Sequence, residues 1–243
     1  VLHPLPRPSI DTGMGLERLA AILQGVYSNY DTDIFQAVIQ ETAELAGIEY
    51  GKDDENDMAL RVIADHARAT AFLIADGVMP SNEGRGYVLR RIARRAIRYG
   101  VRLGLKEPFL WKAADVIIEE MGETYPDLLA RRAFIKEVAK GEEERFSETL
   151  DKGLVILEDA FRSLPAGGKL DGDTVFQLHD TFGFPMDLTR LIAQEKGHGI
   201  DSARFVVRME EQRAAGRANW KGSGEQKIVA ELQELSKRYP SRF

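Results

Sequence analysis

Seven arginines lie between residues 85 and 102 with no acidic residue among them, in a chain whose formal net charge is −6. They are Arg85, Arg90, Arg91, Arg94, Arg95, Arg98 and Arg102. A guanidinium group is planar, permanently charged and shaped for bidentate contact with phosphate. The cluster therefore predicts contact with a polyanion, and a nucleic-acid backbone fits this chemistry best.

The spacing of these arginines matches one face of an α-helix. At about 100° per residue, those from Arg90 to Arg102 lie opposite an apolar half-turn. That half consists of Val88, Leu89, Ile92, Ala93, Ala96, Ile97 and Tyr99. A solvated helix face ordinarily mixes both signs, because like charges at this spacing repel. We therefore expect the seven arginines, called the arginine face below, to stay unpaired until an anion binds.

The alternative interpretation is an ion-pair seam, in which the arginine face pairs with acidic helices elsewhere in the chain. The acidic run of Glu142, Glu143 and Glu144 is one candidate partner, although its local sequence is typical of a solvated outer face. On this interpretation the chain is a non-catalytic helical interaction module whose arginines pair with acidic protein segments.

A second set of residues with possible chemistry lies near the start of the chain. Gly13 and Gly15 precede a helical stretch that begins with Leu16, Glu17 and Arg18. Glycines let the backbone approach a flat or anionic ligand, and an arginine at a helix start can clamp a phosphate. The same spacing is also typical of a simple tight turn.

Composition limits the kind of protein that carries these residues. The chain has 243 residues, of which 44% are hydrophobic, and this is enough for one large or two small domains. It has no cysteine, and its four histidines lack ligand spacing, so we expect no metal site. No apolar run is long enough to cross a bilayer. The chain starts without an initiator Met or a leader-like segment, so we expect a piece of a longer cytoplasmic protein that does not contact a membrane.

Helical periodicity dominates the chain, and strand-like alternation is nearly absent, so a mainly α fold is predicted. Glycines and prolines set the predicted helix ends. Helices are expected over residues 16–24, 33–46, 56–75, 87–103, 108–120 and 185–196, with one long or two abutting helices over 128–164. Residues 1–10 are predicted to be extended chain, residues 165–168 a linker, and residues 222–243 a further helical segment.

Five segments resemble one known family, in the same order. Residues 12–19 (TGMGLERL) are similar to motif 3 of the class II aminoacyl-tRNA synthetases, and the preceding Asp11 is the form seen in the alanyl-tRNA synthetase family. The other four are residues 63–66 (IADH), 73–83 (LIADGVMPSNE), 85–91 (RGYVLRR) and 180–185 (DTFGFP). The resemblance covers essentially the whole chain, and its long segments are highly specific.

The resemblance implies a division of the chain into three parts. Residues 1–26 would be the end of a class II catalytic domain, its last strand, turn and helix. Residues 27–164 would be a helical tRNA-recognition subdomain. Residues 169–243 would be a second such subdomain and the start of a linker.

The resemblance also implies an activity for the parent enzyme. That enzyme activates alanine with Mg²⁺ and ATP and transfers it to tRNA, chiefly by electrostatic positioning of the nucleotide. By family role, Arg18 would bind the γ-phosphate of ATP, Gly13 and Gly15 would lie near the adenine, and Asp11 would hold the ammonium group of alanine. Motifs 1 and 2 of the family are absent here. We therefore expect no complete catalytic set, no tight binding of ATP or Mg²⁺, and no activity of this chain alone.

The partner that the resemblance implies is the acceptor stem of alanine tRNA, which carries a G·U wobble pair. In such a pair the guanine amine is not engaged by its partner base and faces the shallow minor groove, where side chains can reach it. Asp180 accepts hydrogen bonds when ionised, and Asn82 both donates and accepts. The resemblance makes these two the base-reading residues, with the arginine face holding phosphates on either side.

Simpler roles compete with these assignments. Without the resemblance, Asn82 would be a helix or turn cap and Asp180 a turn or cap residue. Asp187 is a nearby alternative acid, but its place in a first helical turn suits the helix dipole. His66, on an otherwise apolar helix, is expected to be a hydrogen-bonded packing residue rather than a catalytic base.

Overall fold

Helices form nearly all the regular structure in residue 9 and residues 12–219, which are the residues that the computed structural model describes. They are α1 (Leu16–Gln24), α2 (Asp33–Ala46), α3 (Asp54–Ala75), α4 (Gly84–Arg102), α5 (Leu110–Met121), α6 (Pro126–Ala130), α7 (Arg132–Arg162), α8 (Gly172–Asp180), α9 (Met186–Glu195) and α10 (Ser202–Asn219). A single 3₁₀ turn, Asn29–Asp31, precedes α2. The predicted mainly α fold is confirmed.

The first part of the core is built around α3. This helix packs against α2, α4, α5 and α7. Its buried side chains Leu60, Ile63 and Ile74 belong to the same core cluster as Leu89 and Ile97 of α4. The predicted apolar half of α4 is largely buried, although Val88 at its edge is exposed. Burial of this stripe fixes which way the arginines of α4 point.

The second part of the core joins α8 and α9 to the long helix α7. Phe184, in the loop between α8 and α9, is fully buried and packs edge to face on Phe146 at 5.5 Å. Two short strands, β1 (Lys169–Leu170) and β2 (Gly199–Ile200), pair in parallel on either side of α8 and α9. Parallel pairing needs a crossover connection, and these two helices supply it.

The predicted helix bounds agree with the structure for α1 and α2, whereas α3 and α4 begin two and three residues before their predicted starts. Helices α1 and α2 have the predicted bounds, and each is followed by a glycine in the left-handed conformation, Gly25 and Gly47. Of the two arrangements predicted over residues 128–164, the structure has two abutting helices, α6 and α7, which meet at Arg131. No element is predicted for residues 172–180, which form α8, capped by Asp171.

Parts of the predicted chain lie outside the described residues. These are the extended segment over residues 1–10, except Ser9, together with Asp11 and the helical segment over residues 222–243. Among the described residues, no helix is both long enough and apolar enough to span a bilayer.

Candidate nucleic-acid interface

A cleft of about 420 Å³ opens where the start of α4, the middle of α7, the end of α8 and α10 meet. Its lining consists of Asn82, Glu83, Arg90, Arg94, Arg145, Thr149, His179, Asp180, Thr181, Phe182, Gly183, Met209, Gln212 and Arg213. The structure thus brings both predicted base-reading residues, Asn82 and Asp180, to one cleft. Four arginines line it with them, which gives the polar, cationic character expected of a nucleic-acid site.

Asn82 is held by a side chain of the arginine face. It lies just before α4, whose N-cap residue is Glu83, and no side chain caps this helix. The Oδ1 atom of Asn82 accepts a hydrogen bond from Nη1 of Arg90. Within the described residues its amide nitrogen donates to no protein group, and the residue is exposed. The helix-cap interpretation of Asn82 therefore does not apply.

Asp180 is the last residue of α8 and is also exposed in the cleft. Its Oδ1 atom accepts a hydrogen bond from Nε2 of Gln212 on α10. The other carboxylate oxygen accepts no hydrogen bond from the described residues, so it can receive an amine. Burial lowers the pKa of the neighbouring His179, so its imidazole is neutral at physiological pH and adds no charge here.

Asp187, the competing acid, does not line the cleft. It lies in the first turn of α9, and its Oδ2 atom is 3.4 Å from Nε of Arg91. The residue is half-buried, and burial raises the pKa of its carboxyl group. Asp187 therefore serves the contact between α4 and α9 rather than the cleft.

The expectation that the arginine face stays unpaired is wrong for five of its members. Acids from α3, α7 and α9, distant in sequence, pair with them. The pairs are Arg90 and Arg94 with Glu142, Arg91 with Asp187, Arg98 with Glu195, and Arg102 with Glu55. The ion-pair seam is confirmed for these arginines, because tertiary packing supplies the opposite charges that the local sequence lacks.

Arg85 and Arg95 differ from the other five. Arg85 is exposed and forms no ion pair within the described part of the chain. Arg95 is half-buried, and its Nε atom is buried without a hydrogen-bond partner there. Neither residue lines the cleft.

Glu142 and Glu143 are not solvated, contrary to the sequence prediction. They are 1% and 2% exposed, whereas Glu144 faces solvent as expected. Glu142 accepts hydrogen bonds from Nε of Arg94 at 2.8 Å and from Nε of Arg90 at 3.1 Å. Burying a charged group is costly unless it is paired, and for Glu142 the arginines supply the pairing.

Two arginines of the cleft were not predicted from the sequence. Arg145 belongs to α7, where it lies 3.4 Å from Glu142, and Arg213 belongs to α10. Each occurs among acidic neighbours in the sequence, so neither forms part of a cationic run. Only the packing of α7 and α10 around the cleft brings them together.

The glycine turn lies at the start of α1 and apart from the cleft lining. Gly15 is the N-cap residue of α1, and Gly13 has open space on the side where a Cβ would stand. Arg18 is exposed, whereas Glu17 pairs with Arg68 and so ties α1 to α3. An anion could reach both the turn and the Arg18 guanidinium.

His66 contacts its sequence neighbour rather than any candidate site. Its Nδ1 atom is 2.9 Å from Oδ2 of Asp65, and the side chain is largely buried. This geometry agrees with a packing role.

Comparison with known proteins gives consistent matches over the whole chain. The profile of the family described as tRNA synthetases class II (A) matches residues 1–242. Alanine–tRNA ligases of Nitratidesulfovibrio vulgaris and Oleidesulfovibrio alaskensis are each 54% identical over 235 residues, 96% of this chain. The alanine–tRNA ligase of Anaeromyxobacter sp. strain Fw109-5 is 55% identical over 244 residues. In each case the matched region is 27% of the relative, so the chain spans about a quarter of these proteins.

Proposed function

The chain belongs to the class II tRNA synthetases, and from this premise we propose that it is the tRNA-recognition part of an alanine–tRNA ligase. In this role it binds the acceptor stem of alanine tRNA and reads the G·U wobble pair. The observation that carries the proposal is the convergence of Asn82 and Asp180 on one arginine-lined cleft.

The chemistry of the two side chains suits the edge of a G·U pair. Asp180 offers a carboxylate oxygen to the free guanine amine, and Asn82 offers amide N–H groups to a base carbonyl. A Watson–Crick pair in the same place engages the guanine amine and shifts the pyrimidine carbonyl. The cleft therefore distinguishes the two pairs by hydrogen bonds that only one of them can complete.

The phosphates on either side are assigned to arginines whose side chains are exposed. These are Arg145 and Arg213 in the cleft and Arg85 at the start of α4. Arg90 and Arg94 also line the cleft, but their side chains are only 20% and 9% exposed and are held by Glu142. Arg91, Arg98 and Arg102 hold α4 to its neighbours through their own acids, and Arg95 is assigned no separate contact. Phosphate contacts of this kind set register and affinity but not sequence preference.

The parent enzyme is proposed to form alanyl-tRNA from alanine, ATP and tRNA. The exposed Arg18 and the open turn at Gly13 and Gly15 fit a nucleotide phosphate and base, and Asp11 is proposed for the alanine ammonium group. ATP, with Mg²⁺ on its phosphates, would supply the adenylyl group that activates the alanine carboxylate, and pyrophosphate would leave. We expect this chain alone to bind ATP weakly, and titration calorimetry of the full chain with ATP measures this.

The test of the proposal is a comparison of two acceptor-stem duplexes. Binding of the full chain to stems with G·U or G·C at the identity position is measured across a salt series. We expect tighter, salt-dependent binding to G·U. In Asn82→Ala and Asp180→Asn the preference should fall by about 1 to 3 kcal/mol, because each removes one base-edge contact.

Asp187→Asn is the matched control, because it makes the same change in an acid that does not line the cleft. Its preference for G·U should equal that of the unchanged chain. Equal losses on both stems in the Asn82 and Asp180 variants would assign these residues a structural role. Absence of salt-dependent RNA binding would favour the interaction module with acidic protein partners, since five arginines of α4 already pair with acids.

A further inference from the structure

Glu142 is a buried carboxylate that three arginines share. Its Oε1 atom accepts from Arg94 and Arg90, and its Oε2 atom accepts from Arg145 at 3.4 Å. The side chain is 1% exposed, so it cannot contact RNA itself. One negative charge also does not neutralise three positive ones. Charge balance alone therefore does not explain this arrangement.

Two of these arginines extend from Glu142 to the two base-reading positions. Arg90 uses Nε for Glu142 and Nη1 for Oδ1 of Asn82. Arg94 uses Nε for Glu142 and Nη1 for the backbone carbonyl of Gly183, which follows Asp180 by three residues. A single carboxylate thus connects the loop before α4 to the loop after α8.

Packing fixes the Arg94 branch of this connection. The Arg94 guanidinium carbon lies 4.7 Å from the centre of the Phe146 ring, and Phe184 packs edge to face against the same ring. Gly183 has a φ of 69°, and a Cβ on it would collide with Arg94. The loop that follows Asp180 is therefore held at a fixed distance from α4.

We propose that Glu142 is a positioning residue that sets the separation of Asn82 and Asp180, and through it the selectivity for the G·U pair. This inference rests on the proposed function of the cleft. A carboxylate is suited to the task because one oxygen can accept from two forked guanidinium groups at once. Pairing with the buried Glu142 carboxylate restricts the Arg90 and Arg94 side chains to one orientation each.

The first test is Glu142→Gln, which keeps the size of the side chain but removes its charge. We expect the ratio of affinities for G·U and G·C stems to fall about tenfold. Binding to the G·C stem should stay the same or improve, because one negative charge near the RNA is lost. Glu143→Gln is the matched control, since it makes the same change at the next buried acid, which contacts no arginine. Its ratio should equal that of the unchanged chain.

The second test preserves charge and separates geometry from electrostatics. In Arg90→Lys a single ammonium group replaces the fork, so it cannot hold Glu142 and Asn82 together in the same way. We expect a comparable fall in the G·U to G·C ratio with an unchanged salt dependence. If circular dichroism shows that Glu142→Gln does not fold, the Arg90→Lys variant decides the question.

Retention of the full ratio by folded Glu142→Gln, or by Arg90→Lys where the former does not fold, would overturn the inference. The proposed function would stand in that case, provided that Asn82→Ala loses the ratio in the same series. If the unchanged chain shows no preference for G·U, both are overturned. A fall in affinity for both stems, with the ratio kept, would reduce Glu142 to a charge-balancing residue.

Discussion

At the scale of single residues, Glu143 shows how differently two adjacent buried acids can be used. It accepts hydrogen bonds from the backbone N–H groups of Phe109 and Leu110, at 3.1 and 2.8 Å, where α5 begins. Burial raises the pKa of Glu143 to about 7; the two N–H groups offset part of that rise, and the negative charge of Glu144 adds to it. Glu143 thus caps α5 while about half of its molecules are protonated near pH 7.

This pKa predicts how stability depends on pH. The folded-state pKa is above the value of 4.5 expected for the unfolded chain, so the folded state holds the proton more tightly. The contribution is fully present below pH 4.5 and is lost as the pH rises through 7. We expect a loss of about 3 kcal/mol in unfolding free energy over this range, measured by urea unfolding at several pH values.

Glu143→Gln isolates this contribution, because an amide does not titrate and its oxygen can still accept from the N–H groups of α5. The difference in stability between Glu143→Gln and the unchanged chain should grow as pH rises from about 5 to 8. A constant difference across that range would show that Glu143 is ionised throughout.

The family resemblance and the local charge pattern together identified part of the candidate site. Asn82 and Asp180 were identified only through family motifs, and the structure places them in one cleft. The pairing of Glu142 with the arginine face was one of the two interpretations of the sequence, but the burial of Glu142 was not predicted, because Arg90 and Arg94 lie about 50 residues away in the chain. Local sequence around an acid reports its neighbours along the helix, whereas burial depends on what packs against it.

At the scale of elements, α7 links the two parts of the core. It contains two glycines, one tightly packed and one in open space. A Cβ on Gly153 would lie 2.2 Å from the Phe184 ring, so the ring packs directly on the helix backbone. A Cβ on Gly141 would meet no atom within 4 Å. One glycine therefore permits close packing, and the other only weakens the helix.

Alanine substitutions at these two positions should have opposite signs. Gly153→Ala should destabilise the chain by about 1 to 3 kcal/mol, because Phe184 must move. Gly141→Ala should stabilise it by about 0.5 to 1 kcal/mol, since alanine loses less backbone entropy in a helix. Thermal or urea unfolding measures both. Destabilisation by both substitutions would mean that Gly141 also has a close neighbour.

Helix ends were predictable where glycine makes them and less so elsewhere. Gly25 and Gly47 adopt positive φ, which other residues rarely do, so they end α1 and α2 at the predicted positions. The break at Arg131 has no such residue; the backbone leaves the helical conformation there, at φ −109° and ψ 12°. The start of α4 at Gly84 was placed three residues late, since no side chain caps it.

At the scale of the whole molecule, α4 is the charged centre of the structure. Its arginines pair with acids on α3, α7 and α9, so one helix connects both parts of the core. The chain as a whole carries a net charge of −6. Four arginines, Arg90, Arg94, Arg145 and Arg213, line the cleft, and on the proposed function they would orient an approaching RNA.

Arg145, which is exposed in the cleft, and Arg98, which pairs with Glu195 outside it, should therefore respond differently to substitution. Arg145→Ala should flatten the dependence of log affinity on log salt by about 0.7 to 0.9, because one phosphate contact is lost. Arg98→Ala should leave that slope unchanged and lower stability by about 1 kcal/mol, since it breaks the pair with Glu195. Binding over a salt series and urea unfolding give the two readouts.

Arg162→Ala serves as the control, because Arg162 is 74% exposed and lies at the far end of α7 from the cleft. It should change neither the slope nor the preference for G·U. Equal slopes in the Arg145 and Arg162 variants would remove Arg145 from the phosphate contacts.

The short strand pair has a further consequence for the segment that carries Asp180. Backbone hydrogen bonds from Gly199 to Gly168 and from Asp201 to Leu170, at 3.0 and 2.9 Å, join the two ends of this segment. Helices α8 and α9 thus belong to one segment whose two ends are joined by the strand pair, so the entropic cost of closing this segment arises only once. Breaking the strand pair would release both helices together, so amide hydrogen exchange in α8 and α9 should give the same opening free energy.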